Sequence, residues 1–299
     1  MARIRFTSKK FKSETLKLIE LCDRIITDYQ GQGMDLTVRQ LYYQLVSRDY
    51  IENTQNSYSR IAAIINDARM AGMIDWEAIV DRGRKTITPS SWDRPSDLIR
   101  KCSEIFRLDK WVNQDVRVEV MCEKQALEGV FAPVCNAYSV PFTSNKGYGS
   151  QSLLYRKGQE IAGRMEDDGK LTVVLYFGDH DPSGLDMDRD LDSRLKLFAG
   201  IDPADNIQLV HRISLSMEQI EEFDPPPNPA KLTDSRADEY IRKHGHHSWE
   251  LDAMEPTYLR GLLAKKIEVL LDMDKWEAME AQEDEMKIDI LHAAERMEG

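Results

Sequence analysis

The chain has 299 residues, 41% apolar and 31% charged, with 40 Lys and Arg against 52 Asp and Glu, a net charge of −12. That length buries a substantial core without staples. No run approaches the roughly 18 apolar residues of a membrane span, and Met1-Ala-Arg-Ile-Arg-Phe-Thr-Ser-Lys-Lys10 has no signal-peptide core, so a cytoplasmic protein with no membrane partner is expected. The cysteines, Cys22, Cys102, Cys122 and Cys135, form no CxxC pair; a cysteine metal site is excluded and reduced thiols are expected.

Residues 12–30 place Leu16, Leu18, Ile19, Leu21, Ile25 and Ile26 at helical spacing, and Gly31-Gln-Gly33 stops that helix. Thr37 caps a second helix, whose Val38, Leu41, Tyr42, Leu45 and Val46 make one apolar stripe. A third helix is predicted from Gln55 to Ala71. Short pieces at Ile74, Trp76, Ile79-Val80 and Thr86-Ile87, around Arg82-Gly83-Arg84, are able to form a hairpin with arginine at its tip. Three helices followed by such a hairpin is the order of a winged helix, a DNA-binding variant of helix-turn-helix. The acidic total argues against indiscriminate phosphate binding, yet residues 1–110 hold 19 Lys and Arg against 15 Asp and Glu, whereas the remainder holds 21 against 37. That balance allows a local DNA-facing surface here and equally ordinary solvated faces.

Thr88–Pro95 reads as a linker, followed by a bridging helix over about 96–109. The pattern then becomes α/β. Strands are predicted at Val116–Met121, Tyr138–Thr143, Leu171–Phe177 and Gln208–Ile213, with helices at Lys124–Asn136 and Ser150–Met165, an alternation that implies a parallel, doubly wound sheet. After Pro225-Pro-Pro-Asn-Pro229 the chain is mostly helical. Its last segment, 271–299, has 10 acids and 3 bases and reads as a solvated helix or a subunit contact. The expected organisation is an N-terminal helical domain over 1–90, linker and bridging helix over 91–114, an α/β core over 115–215 and a helical C-terminal part over 216–299.

In a parallel sheet, functional groups gather at the carboxyl ends of the strands. The first strand ends Cys122-Glu123-Lys124, and the third ends Gly178-Asp179-His180-Asp181-Pro182-Ser183-Gly184. If these strands are neighbours, Glu123, Asp179 and Asp181 converge. Three carboxylates repel one another unless a cation lies between them, and oxygen ligands in a half-open site suit Mg²⁺, with Mn²⁺ as substitute, which points to phosphodiester chemistry. A turn with an aspartate cap explains Asp179-x-Asp181 alone, but does not explain Glu123. His180 alternates away from the two aspartates, and His244-Gly-His246-His247 has no second ligand cluster at a zinc spacing. Asp234, Arg236, Glu250, Asp252 and Glu255 are acids and a base able to extend the site, or equally to cap and pair at the surface.

Glu123-Lys124, Asn145-Lys146-Gly147-Tyr148 and Asp179-His-Asp-Pro-Ser-Gly184, in that order, resemble the Toprim domain of the topoisomerase VI A subunit and the related meiotic break-forming transesterase, including the short stand-alone Mini-A homologues. In that family a winged helix precedes the Toprim domain and carries Arg-x-x-Tyr-Tyr; here Arg39-Gln-Leu-Tyr42-Tyr43 stands in the matching place. The likeness covers about residues 36 to 190. It departs at Gly147-Tyr148-Gly149, where the family has Gly-Tyr-Pro. It implies double-stranded DNA as substrate, Tyr43 as nucleophile, a 5′-phosphotyrosyl intermediate, Glu123, Asp179 and Asp181 on the metal, and a homodimer in which one protomer's tyrosine works beside the other's metal. No ATP-binding loop is visible, so strand passage would need a separate ATPase B-type subunit.

Tyr42 belongs to the apolar stripe, whereas Tyr43 lies about 100° further round the helix, on the face of Arg39 and Ser47. A tyrosine with a pKa of about 10 needs a cation or a base to become a nucleophile, which Arg39 or a metal would supply. Arg69 on the third helix, Arg82, Arg84 and Lys85 in the hairpin and Lys146 in the glycine loop are candidate phosphate contacts. Two alternatives stay open: a Toprim endonuclease that hydrolyses DNA with metal-bound water, and a non-catalytic winged-helix DNA-binding protein dimerised by its Toprim unit.

Overall fold

A computed structural model describes residues 3–80, 89–144, 149–230, 234 and 236–298. The first unit holds α1 (Ser13–Gly31), α2 (Val38–Val46) and α3 (Gln55–Met70). Thr37 and Gln40 form a capping box at the start of α2, and the Thr54 hydroxyl caps α3, so both helices begin where a polar side chain replaces missing backbone partners. Ile19, Ile25, Leu41, Leu45, Ile61 and Ile65 close the core of this unit. Val80 N–H donates to the Leu36 carbonyl at 3.0 Å, and Ile79 bridges Leu36, which draws the chain beyond α3 back across the entry to α2. The predicted hairpin tip, with Arg82, Arg84 and Lys85, lies outside the described residues, as does Lys146.

Helix α4 (Pro95–Ile105) leads to the second unit. There β1 (Arg117–Cys122), α5 (Glu128–Ala137), β2 (Phe142–Ser144), α6 (Gln151–Asp168), β3 (Thr172–Phe177), α7 (Gly184–Ala199) and β4 (Val210–Ser214) alternate. The four strands are parallel in the order β2-β1-β3-β4, with Val120 opposite Leu175 and Cys122 opposite Phe177. The fold is therefore mixed α/β with a four-stranded parallel sheet and eleven α-helices among the described residues.

Alternation along the strands gives each face its own core. Val118, Val120, Cys122, Leu175 and Phe177 pack with Phe131 of α5, while Met121, Val174 and Tyr176 pack with Leu154, Ile161 and Leu191 of α6 and α7. The second strand starts later than the expected 138–143. Tyr138 instead caps α5, Ser139 takes a positive φ of 51°, and Val140 N–H returns to the Cys135 carbonyl, so those residues finish the helix.

Beyond the sheet come α8 (Met217–Phe223), β5 (Asn228–Pro229), α9 (Ala237–His244), β6 (His247–Ser248), α10 (Pro256–Glu268) and α11 (Met273–Arg296). Strands β5 and β6 pair antiparallel, and α10 adds Leu259 and Leu263 to the α5 face of the sheet. Helix α11 packs on α4 and the segment after it: Glu283 is buried, accepts from Leu108 N–H at 2.9 Å and holds Lys110 and Lys287. The acidic segment is thus an internal brace along one side, besides carrying a solvated face. Among the described residues no helix is long and apolar enough to cross a membrane.

Candidate functional site

Because β1 and β3 are neighbours in register, Glu123 and Asp179 emerge side by side: the Asp179 N–H donates to Glu123 Oε2 at 2.9 Å. Asp181 turns to the start of α7, where its Oδ1 accepts from Gly184 N–H at 2.6 Å and from the Ser183 hydroxyl at 3.0 Å. The intervening loop is held by Arg212 of β4, which donates to the carbonyls of Gly178, Asp179 and Gly184 and pairs with Asp188. His180 points the other way, as alternation requires. It is buried, exchanges backbone hydrogen bonds with Trp249, and its Nδ1 lies 2.9 Å from the Tyr240 hydroxyl.

A third chain segment enters between β6 and α10. Leu251 N–H donates to Asp179 Oδ1 at 2.8 Å, and this bond seats Glu250 and Asp252 beside the strand ends. Lys124 reaches Asp179 Oδ2 at 2.6 Å and Glu250 at 3.5 Å. From α2, Arg39 Nε meets Asp252 Oδ2 at 2.9 Å, its fork also pairs with Glu250, and it stands 3.4 Å from the Tyr43 hydroxyl. Tyr43 and Arg39 therefore share one face of α2, and that face meets the acids of the same chain. Tyr43 is nonetheless only 3% exposed. The stripe pattern predicted an available ring; it is covered because a distant segment, Leu251–Ala253, packs against α2.

Charge in this cluster is unevenly held. Burial, then the neighbouring Asp179, pushes the Glu123 carboxyl up to about 7. Asp252 also rises to about 7, through burial and the charges of Glu250 and Asp179, against the pull of Lys124 and Arg39. Glu250 goes the other way, to about 2: its burial is outweighed by Lys124 and Arg39. Burial and the charges of Glu250 and Asp252 raise the Tyr43 hydroxyl, with Arg39 opposing. The phenol is held neutral, and its activation requires that the local negative charge be met by a further cation.

Among the described residues no three His, Cys, Asp or Glu side chains already stand grouped around a point where a metal ion would sit. The donors fit a hard divalent cation in chemistry: they are carboxylate oxygens, Glu123 and Asp252 are driven toward protonation chiefly by burial, and the buried Asp252 Oδ1 has no hydrogen-bond partner. Lys124 stands on Asp179 Oδ2 in the meantime.

The other candidates separate. Arg69 stacks on Trp76, 4.7 Å from ring centre to guanidinium carbon, and donates to the Trp76 carbonyl at 2.7 Å, so it serves the core end of α3. Tyr42 donates to Asn53 Oδ1 at 2.9 Å within the first unit. Glu255 accepts from the Tyr29 hydroxyl, and Arg236 pairs with Asp234 and Asp186. His180 and His244 stack edge to face, with ring centres 4.9 Å apart. Lys124 is the member that sequence reasoning left out of the site, and Glu250 and Asp252 are the two that it left open between extending the site and pairing at the surface. The signal for the last two was present as Glu250-x-Asp252 directly after Trp249, the same spacing as Asp179-x-Asp181. No protein-family model and no curated protein matches the chain.

Proposed function

We propose that the chain cleaves double-stranded DNA by tyrosine transesterification with Mg²⁺, as a winged-helix and Toprim protein of the topoisomerase VI A-subunit kind. The observation that carries this reading is the single ionic network from Tyr43 and Arg39 on α2, through Glu250 and Asp252, to Lys124, Asp179 and Glu123 at the strand ends. A tyrosine that only filled a core would have no reason to share its arginine with Glu250 and Asp252, the acids seated beside Asp179 by the Leu251 hydrogen bond.

Glu123, Asp179 and Asp181 would hold Mg²⁺, which supplies charge neutralisation on the scissile phosphate. Tyr43 is the nucleophile: its hydroxyl oxygen loses its proton and bonds to phosphorus, the phosphorus–sugar oxygen bond breaks, the departing oxygen takes up a proton to leave as a sugar hydroxyl, and the ester retains the bond energy for resealing. Glu250 and Asp252, whose charges act on Tyr43, are the proton acceptors at hand, and Arg39 steadies the phenolate that forms. Cutting both strands takes two such sites, hence a homodimer. Strand passage would draw on a separate ATPase subunit.

The test is incubation with supercoiled plasmid and Mg²⁺ or Mn²⁺, denaturation in detergent, and assay for protein covalently bound to broken ends. Adducts lost in Tyr43→Phe and Asp179→Ala are expected. The burial of Tyr43 favours one competing reading, hydrolysis by metal-bound water. Free-ended breaks that survive Tyr43→Phe would establish it in place of transesterification, and salt-sensitive DNA binding without any cutting would leave a binding protein.

A further inference from the structure

At the opposite, amino end of the sheet, where parallel α/β units are ordinarily closed by tight loops, a cleft of about 400 Å³ opens between the segment after α4 and the turn from α5 into β2. Arg107, Arg117 and Arg164 line it. Two of the three are fixed by the fold. Arg117 is clasped by Asp168 at 2.7 Å and Asp109, and Arg164 donates to Glu119 at 2.6 Å. Glu119 is buried and also faces Lys157 at 3.2 Å, so one carboxylate answers two cations. Arg107 is exposed and bonds to the carbonyls of Glu104 and Phe106, both neutral acceptors, so among the described residues no carboxylate offsets its charge.

Leu108, Trp111, Val118 and Pro141 give the lining its apolar part, Asn136 and Ser139 add neutral polar groups, and Asp109, the one acid in the lining, is taken up by Arg117. Planar guanidinium groups match phosphate oxygens, an amide matches the edge of a base, and the volume falls in the range of small-ligand sites, well beyond what an inorganic ion fills. We propose that this cleft binds a small phosphorylated molecule of nucleotide size, with its phosphate on Arg107, Arg117 and Arg164 and its planar part against Leu108 and Pro141. Strand β1 begins in the cleft at Arg117 and ends beside Glu123, about 20 Å away at strand rise, so this site is separate from the acid cluster and independent of the cleavage reading.

Calorimetric titration of the full chain with AMP, adenosine and inorganic phosphate tests the proposal, beside Arg107→Glu and Asn136→Asp. Both positions are exposed, so unchanged melting temperatures will show that the fold is intact. AMP is expected to bind saturably and more tightly than adenosine or phosphate, and Arg107→Glu is expected to weaken it by about tenfold or more, equivalent to about 1.4 kcal/mol. Asn136→Asp should weaken AMP while leaving phosphate affected less. The proposal is overturned by absence of saturable AMP binding, by binding that neither substitution alters, or by adenosine or phosphate binding as well as AMP.

Discussion

Asp252 is held in place by a partner it cannot replace. It is 2% exposed, one oxygen meets Arg39 and the other has no hydrogen-bond partner. Removing the guanidinium in Arg39→Met therefore strands a buried acid. The expected loss is about 2 kcal/mol in urea unfolding, below the roughly 3–5 kcal/mol of a fully buried pair because Arg39 keeps water on one side. Tyr43→Phe removes one long hydrogen bond and should cost under about 1 kcal/mol, so any larger effect of that change on DNA breakage is chemical. The acids also set a pH dependence. Glu123 and Asp252, raised to about 7 in the fold, bind protons there that the unfolded chain has released. Their contribution is complete below the unfolded values and lost as pH rises toward 7. Without divalent metal, the melting temperature should fall between about pH 5 and pH 7.5, and Glu123→Gln should flatten part of that fall; an unchanged slope in the variant would contradict the assignment. Glu250 acts oppositely, since its depressed value withdraws stability as pH falls below the usual carboxylate range.

The loop between β3 and α7 shows how little room the backbone leaves around these acids. A Cβ on Gly184 would lie 2.3 Å from the Asp179 carbonyl oxygen, a distance that forces the loop to move. Gly184→Ala should lower the melting temperature and release the Arg212 clasp, and a thermal melt within a degree or so of the parent would refute that. The glycine, the capping aspartate and the apolar run of β3 were all legible in the sequence, because each is dictated within a few neighbouring residues. The parallel order of the strands followed from alternation with helices in the same way. What local pattern did not yield was contact at long separation: Tyr43 lies off the apolar stripe of its own helix and is covered by a segment more than two hundred residues on. Asp252 belongs to the site through the same contact, and neither its burial nor its partner is encoded in its immediate neighbours. The second strand was displaced for a related reason, since the turn at Ser139 spends Tyr138–Val140 on closing α5 before pairing can start.

One short stretch ties the two units into a whole. Ala253 belongs to the core of the N-terminal helices, while Leu251 and Met254, on either side of it, belong to the core of the sheet. Two residues of the same stretch, Glu250 and Asp252, carry the ion pairs to Arg39, and Glu255 accepts from Tyr29 of α1. The helical unit consequently depends on residues of the C-terminal part for some of its interior, and α11 packs on α4 and grips the segment after it through Glu283 and the paired rings of Trp111 and Trp276. An interface that shares a core and buried charges couples the two units by more than their separate stabilities can ignore. Calorimetry should accordingly give one transition whose van't Hoff and calorimetric enthalpies agree. Replacing Ala253 with Glu, which forces a charge into the shared core, should split it into two, with the helical unit melting first because it has the smaller core. Two transitions in the unaltered chain would show that the stretch is a tether, and that Tyr43 and the strand-end acids are free to separate.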